Sequence, residues 1–228
     1  LGGNGGSGVV VVRYQIGTVD TGNAKATGGS VSFYGGKTIH TFIGSGTFAT
    51  TSNWSAANVE YVVVAGGGSG AALFGGGGAG GYRTGTTPIG AHPVSTTIQV
   101  GAGAASPAVM LSSVASPGAN GTPSYFGTPI TATGGGYGGG GPGVDGGPGG
   151  SGGGGSDWSA GGRAGGTGNT PPVSPSQGNA GGLEQDLMLA AVVAAGLAVL
   201  VEMDLHQVVE LVVLVYKFHQ HIEIQNHR

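Results

Sequence analysis

The chain has no cysteine, which removes disulfides, thiolate metal ligands and thiol nucleophiles together and excludes a disulfide-framed secreted scaffold. Charge is equally scarce. Only 7 basic and 10 acidic side chains occur in 228 residues, for a net charge of −3, so there is no basic field of the kind that nucleic-acid binding depends on. Nucleic acid is not expected as a partner. Before Leu183 the apolar residues are confined to a few short runs, enough for a small core only. What is abundant is glycine: 55 Gly and 11 Pro stand far above ordinary usage and exclude a conventional compact enzyme filling the whole chain. The chain opens with Leu1 in a glycine run, and its first methionine is Met110. It therefore reads as an internal fragment, with no basic and then apolar signal-peptide pattern around residues 2–8.

Composition changes abruptly at Leu183, after which Gly196 is the only glycine. Ahead of that break, short β-branched runs alternate with Gly, Ser and Asn clusters, the pattern of strands punctuated by turns. Strands are expected at residues 9–16, 37–43, 47–51, 59–65, 94–100 and 128–133. Thr38-Ile39-His40-Thr41-Phe42 alternates as a half-buried strand does. The continuous runs 9–12 and 62–64 suit central strands buried on both faces. Many short strands with no convincing helix before Leu183 predict a mainly β fold, an antiparallel β-sandwich or jelly roll. The glycine-rich stretches 66–81 and 134–182 have two readings. Either they are disordered, for want of side chains to bury, or they form polyproline-II helices that pack closely enough to bond one another.

Three motifs make the first 182 residues recognisable: Lys37-Thr38-Ile39-His40-Thr41-Phe42 followed by Gly46-Thr47-Phe48; Val59-Glu60-Tyr61-Val62-Val63-Val64-Ala65-Gly66-Gly67-Gly68; and a glycine run leading into Tyr82-Arg83-Thr84. Together they resemble the glycine-rich domain of phage tail-fibre and adhesin-like proteins, a module similar to many viral and marine metagenomic sequences. Gly5-Gly6-Ser7-Gly8-Val9-Val10-Val11-Val12-Arg13-Tyr14 resembles the element that closes such a module, yet it stands at the start of the chain. The resemblance thus divides the chain into residues 1–16, the closing strand of a preceding module; 17–36, a linker; 37–182, an incomplete glycine-rich β-sandwich module; and 183–228, an anomalous apolar tail. It implies a virion structural or adhesin role without enzymatic activity or cofactor. The implied partners are a host-surface glycan or protein and other copies of the chain, with a trimer usual for fibres. The implied location is the virion, or else an extracellular or cell-surface site. The alternative is a cellular extracellular or cell-surface glycine-rich structural protein.

The tail has three readings. Leu187 to Val201 is nearly uninterrupted apolar sequence, shorter than the roughly 20 residues of a spanning helix. Residues 187–218 suit a helical hairpin by propensity, or a membrane-associated segment, and membrane is a partner only if this tail is genuine. The third reading is translational. Shifted by one base, the codons of Val208-Val209-Glu210-Leu211-Val212-Val213 permit a glycine run with alanines, which explains why glycine vanishes where Val, Ala and Leu appear.

For chemistry the sequence offers little. Gly35-Gly36-Lys37-Thr38 ends like a phosphate-binding loop, but Val31 occupies the position of the required first glycine. Gly-x-Gly-x-x-Gly patterns in residues 66–81 are expected by chance at this glycine content, and no helix-forming sequence follows them. His40 reads as a strand residue and His92 as a loop residue. His206, His219, His221 and His227 are accidents if the tail is out of frame. Asp145 and Asp157 flank glycine loops without the further acidic ligands that calcium needs, and nothing fixes a triad of a serine with His40 and Asp20. No catalytic, cofactor or metal residue is assigned. For receptor recognition the candidates are Tyr82, Arg83, Tyr137 and Trp158, side chains on glycine-rich segments that can stack on sugar faces or protein surfaces.

Overall fold

Alternation sets the direction of each side chain in Lys37–Phe42, where Thr38, His40 and Phe42 are buried while Lys37, Ile39 and Thr41 lie half-buried on the opposite face. The computed structural model describes residues 2–16, 24–72, 75–107, 116–141, 143–156 and 163–182. The tail 183–228 with its expected helix, Asp20, Asp157 and Trp158 lie outside the described residues. Ten strands are present: β1 (Val9–Gln15), β2 (Ala26–Thr27), β3 (Ser30–Tyr34), β4 (Lys37–Phe42), β5 (Gly46–Thr50), β6 (Ala57–Val64), β7 (Tyr82–Ile89), β8 (Ser95–Gln99), β9 (Ser124–Phe126) and β10 (Ile130–Ala132). They form two five-stranded antiparallel sheets, ordered β3-β4-β1-β6-β7 and β10-β9-β8-β5-β2. The mainly β sandwich read from the sequence is therefore found, and among the described residues there is no helix.

All six strands expected from the sequence correspond to β1, β4, β5, β6, β8 and β10. Four others were not expected. β2 and β3 lie within residues 17–36, and β3 joins β4 through Gly35 and Gly36, whose φ angles of 58° and 73° suit a two-residue hairpin turn. β7 contains Gly85 and Pro88, which disguise it; Pro88 is tolerated because β7 is an edge strand, and at Gly85 a side chain would meet the Tyr61 hydroxyl at 2.6 Å. β9 has only three residues.

The valine runs differ from expectation in one respect. Val10 and Val12 are wholly buried, but Val9 and Val11 are only half-buried, and Val62 and Val64 likewise flank the buried Val63. Among the described residues no third sheet covers the outer face of the first sheet. Between the sheets the core centres on Phe48, whose ring meets those of His40, Phe126, Trp54 and Tyr14 edge-on at centroid distances of 5.2, 5.9, 6.0 and 6.3 Å.

His40 is a polar residue inside this core, and its hydrogen bonds fix its state. The Gly28 carbonyl can only accept, so Nδ1–H donates to it at 2.7 Å, leaving Nε2 to accept from the Tyr14 hydroxyl at 3.2 Å. That hydroxyl accepts in turn from the Ala26 amide at 3.0 Å. Burial holds the His40 pKa below its ordinary 6.5, with the Gly28 bond opposing. The unfolded chain therefore takes up a proton near pH 6.5 that the folded chain refuses, and the stability His40 contributes is lost as pH falls from 6.5 through the lowered folded value. Thermal melts from about pH 7 to about pH 5 should show a falling Tm that flattens in His40→Leu. An unchanged slope in that variant would remove His40 as the cause.

The glycine stretches are ordered wherever they are described. Ala65, Gly68 and Ala71 donate backbone bonds to Gly81, Gly78 and Gly75; Gly66, Ser69 and Ala72 to Thr122, Ala119 and Ser116; Gly67 and Gly70 to Gly6 and Gly3. Every third residue thus turns to the same neighbour, and residues 65–72 are bonded on three sides. Three residues per turn with outward-pointing amides is polyproline-II geometry, and residues 65–72 bond in that pattern. Glycine is required here by close approach rather than by handedness: at Gly135 a Cβ would collide with the Gly78 carbonyl and lie 2.7 Å from the Gly68 amide nitrogen.

Candidate functional site

The outer face of the first sheet carries an open trough of about 520 Å³. Its floor is aliphatic, from Val11 of β1, Ile39 of β4 and Val62 of β6, and one wall is Tyr82, Thr84 and Thr86 of β7. Period-2 alternation puts Tyr82, Thr84 and Thr86 on one face of β7 and Arg83 on the other. Tyr82 is 51% exposed, while its backbone N–H donates to the Gln177 carbonyl at 2.8 Å and ties the strand's start to the glycine bundle. The Thr84 hydroxyl donates to the Tyr61 carbonyl at 3.0 Å and keeps its lone pairs for an incoming donor.

Charge gathers at the other end of the trough. Cα register pairs Arg13 with Glu60 across β1 and β6, and the Arg13 Nε–H donates to one Glu60 carboxylate oxygen. Lys37 donates to the other at 2.6 Å. The hydrogen bonds from Lys37 and then Arg13 hold the Glu60 pKa below the usual carboxylate value. Arg13 remains 53% exposed, so the guanidinium has donors left for a ligand. The arrangement suits a polar, hydroxyl-bearing ligand with an apolar face, one that stacks on Tyr82 and bonds to Arg13 and the threonines.

The residues singled out from the sequence are dispersed. Tyr82 stands in the trough, whereas Arg83 points to the opposite face, its Nη1 donating to the Thr131 carbonyl of β10 at 3.3 Å. Tyr137 belongs to the glycine bundle, its ring against Gly147 and its N–H donating to Asn120 Oδ1 at 2.8 Å. Asp145 Oδ1 accepts from the Ala164 amide at 3.2 Å, and His92 Nδ1–H donates to the Thr50 carbonyl at 3.0 Å. Gly35-Gly36-Lys37 is a hairpin turn and a salt-bridging lysine. Among the described residues no three His, Asp or Glu side chains cluster as metal ligands do, and no helix is long and apolar enough to cross a membrane. Arg13 and Glu60 were not singled out from the sequence, and Lys37 only as the end of a rejected phosphate-binding loop. The available signal was that each is a charge set into an otherwise apolar or β-branched strand, but only register brings the three together.

A family model described as a glycine-rich domain matches residues 41–196, more than half of the chain. The chain belongs to the glycine-rich domain family. In this glycine-rich domain the matched stretch takes in β5 to β10 and the last two residues of β4, Thr41 and Phe42, with the glycine segments that follow β6 and β10; β1, β2, β3 and the rest of β4 lie ahead of it. No curated protein and no solved structure matches the chain.

Proposed function

We propose that this glycine-rich domain is a structural and adhesive module of a phage tail fibre or a similar virion-surface protein, and that it binds glycans of a host cell surface through the trough beside Tyr82. In this reading the module works outside the cell and as a binder rather than a catalyst. The observation that carries it is the juxtaposition of a half-exposed Tyr82 with Thr84, Thr86 and the Arg13–Glu60–Lys37 cluster on a sheet. Sugars offer an apolar ring face for stacking and hydroxyls for charged and neutral hydrogen-bonding groups. A rigid support matters as much, because pre-set side chains bind without a large ordering cost. The bonded glycine segments that run on from the ends of β1 and β6 supply that rigidity.

The test is a printed array of cell-surface oligosaccharides probed with the full chain. At least one glycan should bind, and Tyr82→Ala should weaken it tenfold or more, the equivalent of about 1.4 kcal/mol. Because Tyr82 is half-exposed, its Tm should move little. Binding that survives Tyr82→Ala, or an array without signal, would end this reading.

A further inference from the structure

We propose that the slot between β4 and β6 is a strand-acceptor site, and that a second copy of this chain fills it with its own residues 2–15. The proposal stands on topology and does not depend on what the trough binds. β1 occupies the centre of the first sheet, pairing antiparallel with β4 from Val10↔Phe42 to Gln15↔Lys37 and with β6 from Val9↔Val64 to Arg13↔Glu60. Without it, β4 and β6 would face each other with unpaired edges. The core would lose Val10, Val12 and Tyr14, and Tyr14 stacks on His40 and meets Trp54 at 4.8 Å.

The same segment plugs the glycine layer. Gly5 and Gly8 donate to Ala104 and Gly101, Gly6 and Gly3 accept from Gly67 and Gly70, and Asn4 Oδ1 accepts from the Ser106 amide. Residues 2–15 are thus one continuous element running through both layers. Their covalent connection to the rest of the sandwich runs through residues 16–25. A second observation concerns the family match, which begins at residue 41 and so contains β6 and the last two residues of β4 but not the strand that fills the slot.

An identical segment from another copy would reproduce every contact of β1, so exchange changes the connection and little else. Reciprocal exchange closes a dimer, and one-way exchange propagates a row of copies. Both carry the same covalent signature.

The absence of cysteine makes that signature readable. Val11 and Thr41 are register partners on the outer face, and opposed residues of an antiparallel pair sit within disulfide reach. Full chains carrying only Val11→Cys and only Thr41→Cys are unfolded, mixed, refolded together at increasing concentration and oxidised. A disulfide-linked heterodimer should form, rising with concentration and several-fold above a control pairing Val11→Cys with Tyr34→Cys, whose side chain is 83% exposed. Heterodimer no more abundant than the control overturns the proposal, whether or not the double variant closes within one chain. As an independent measurement, the full-length Val12→Asp chain, its own plug disabled by a buried charge, should bind a peptide of residues 2–16 and regain a cooperative melt. Failure of the peptide to bind also counts against it.

Discussion

Gly135→Ala should destabilise the domain by at least about 3 kcal/mol, at the upper end for overpacking, although it adds a single methyl group. Gly135 lies inside the glycine layer, its amide donating to Gly66 at 2.9 Å and its carbonyl accepting from Gly121 at 3.0 Å. The new Cβ would run into the Gly78 carbonyl and sit 2.7 Å from the Gly68 nitrogen. Those are backbone atoms of segments bonded on their other sides, so no rotamer change relieves the clash, and separating the segments breaks hydrogen bonds as well. Gly76→Ala is the matching control, since a Cβ there meets nothing within 4 Å. It should be neutral or stabilising by up to about 1 kcal/mol, through the reduced entropy of the unfolded chain. Denaturant melts of the two variants decide the matter. Equal effects would mean that close packing of glycine backbones does not stabilise this layer.

Phe48→Ala should cost about 3–5 kcal/mol, the range for deleting a buried aromatic ring, and for a domain of this size lower the Tm by roughly 6–20 °C. Phe48 is fully buried in β5 and forms edge contacts with His40, Phe126, Trp54 and Tyr14. Because these partners come from both sheets and the loop after β5, the cavity has no single mobile wall to collapse. Phe48→Leu, which keeps most of the volume, should recover a substantial part of the loss. A Phe48→Ala chain melting within 2 °C of the parent, a shift worth less than about 1 kcal/mol, would show that the sheets are held by the glycine layer alone.

Strand content was legible where side chains alternate or branch. Lys37–Phe42 and Ser95–Gln99 were recognisable because each β-branched or alternating run ends at glycine or serine. β7 was not, because Gly85 and Pro88 break the pattern for reasons that lie elsewhere, the approach of Tyr61 and the position at a sheet edge. β3 was hidden by its composition, Ser30–Tyr34 being exposed throughout. At the candidate site Tyr82 was recognisable as an aromatic beside glycine. Its sequence neighbour Arg83 belongs to another face, a consequence of strand period that applies as soon as β7 is known to be a strand. The Arg13–Lys37–Glu60 cluster was the least accessible, since three strands meet there across 47 and 23 residues of sequence.

Composition alone carries much of this protein's character. Scarce charge and absent cysteine limit its chemistry, and β-branched runs between glycines commit it to strands. Glycine content allows two outcomes, disorder or close-packed polyproline-II segments, because an isolated glycine segment has no side chains to bury and gains no hydrogen bonds from its own helix. The choice between them is made by neighbours. Residues 65–72 are ordered because segments distant in sequence bond them on three sides, and those segments are brought there by strands whose side chains do have a core to fill.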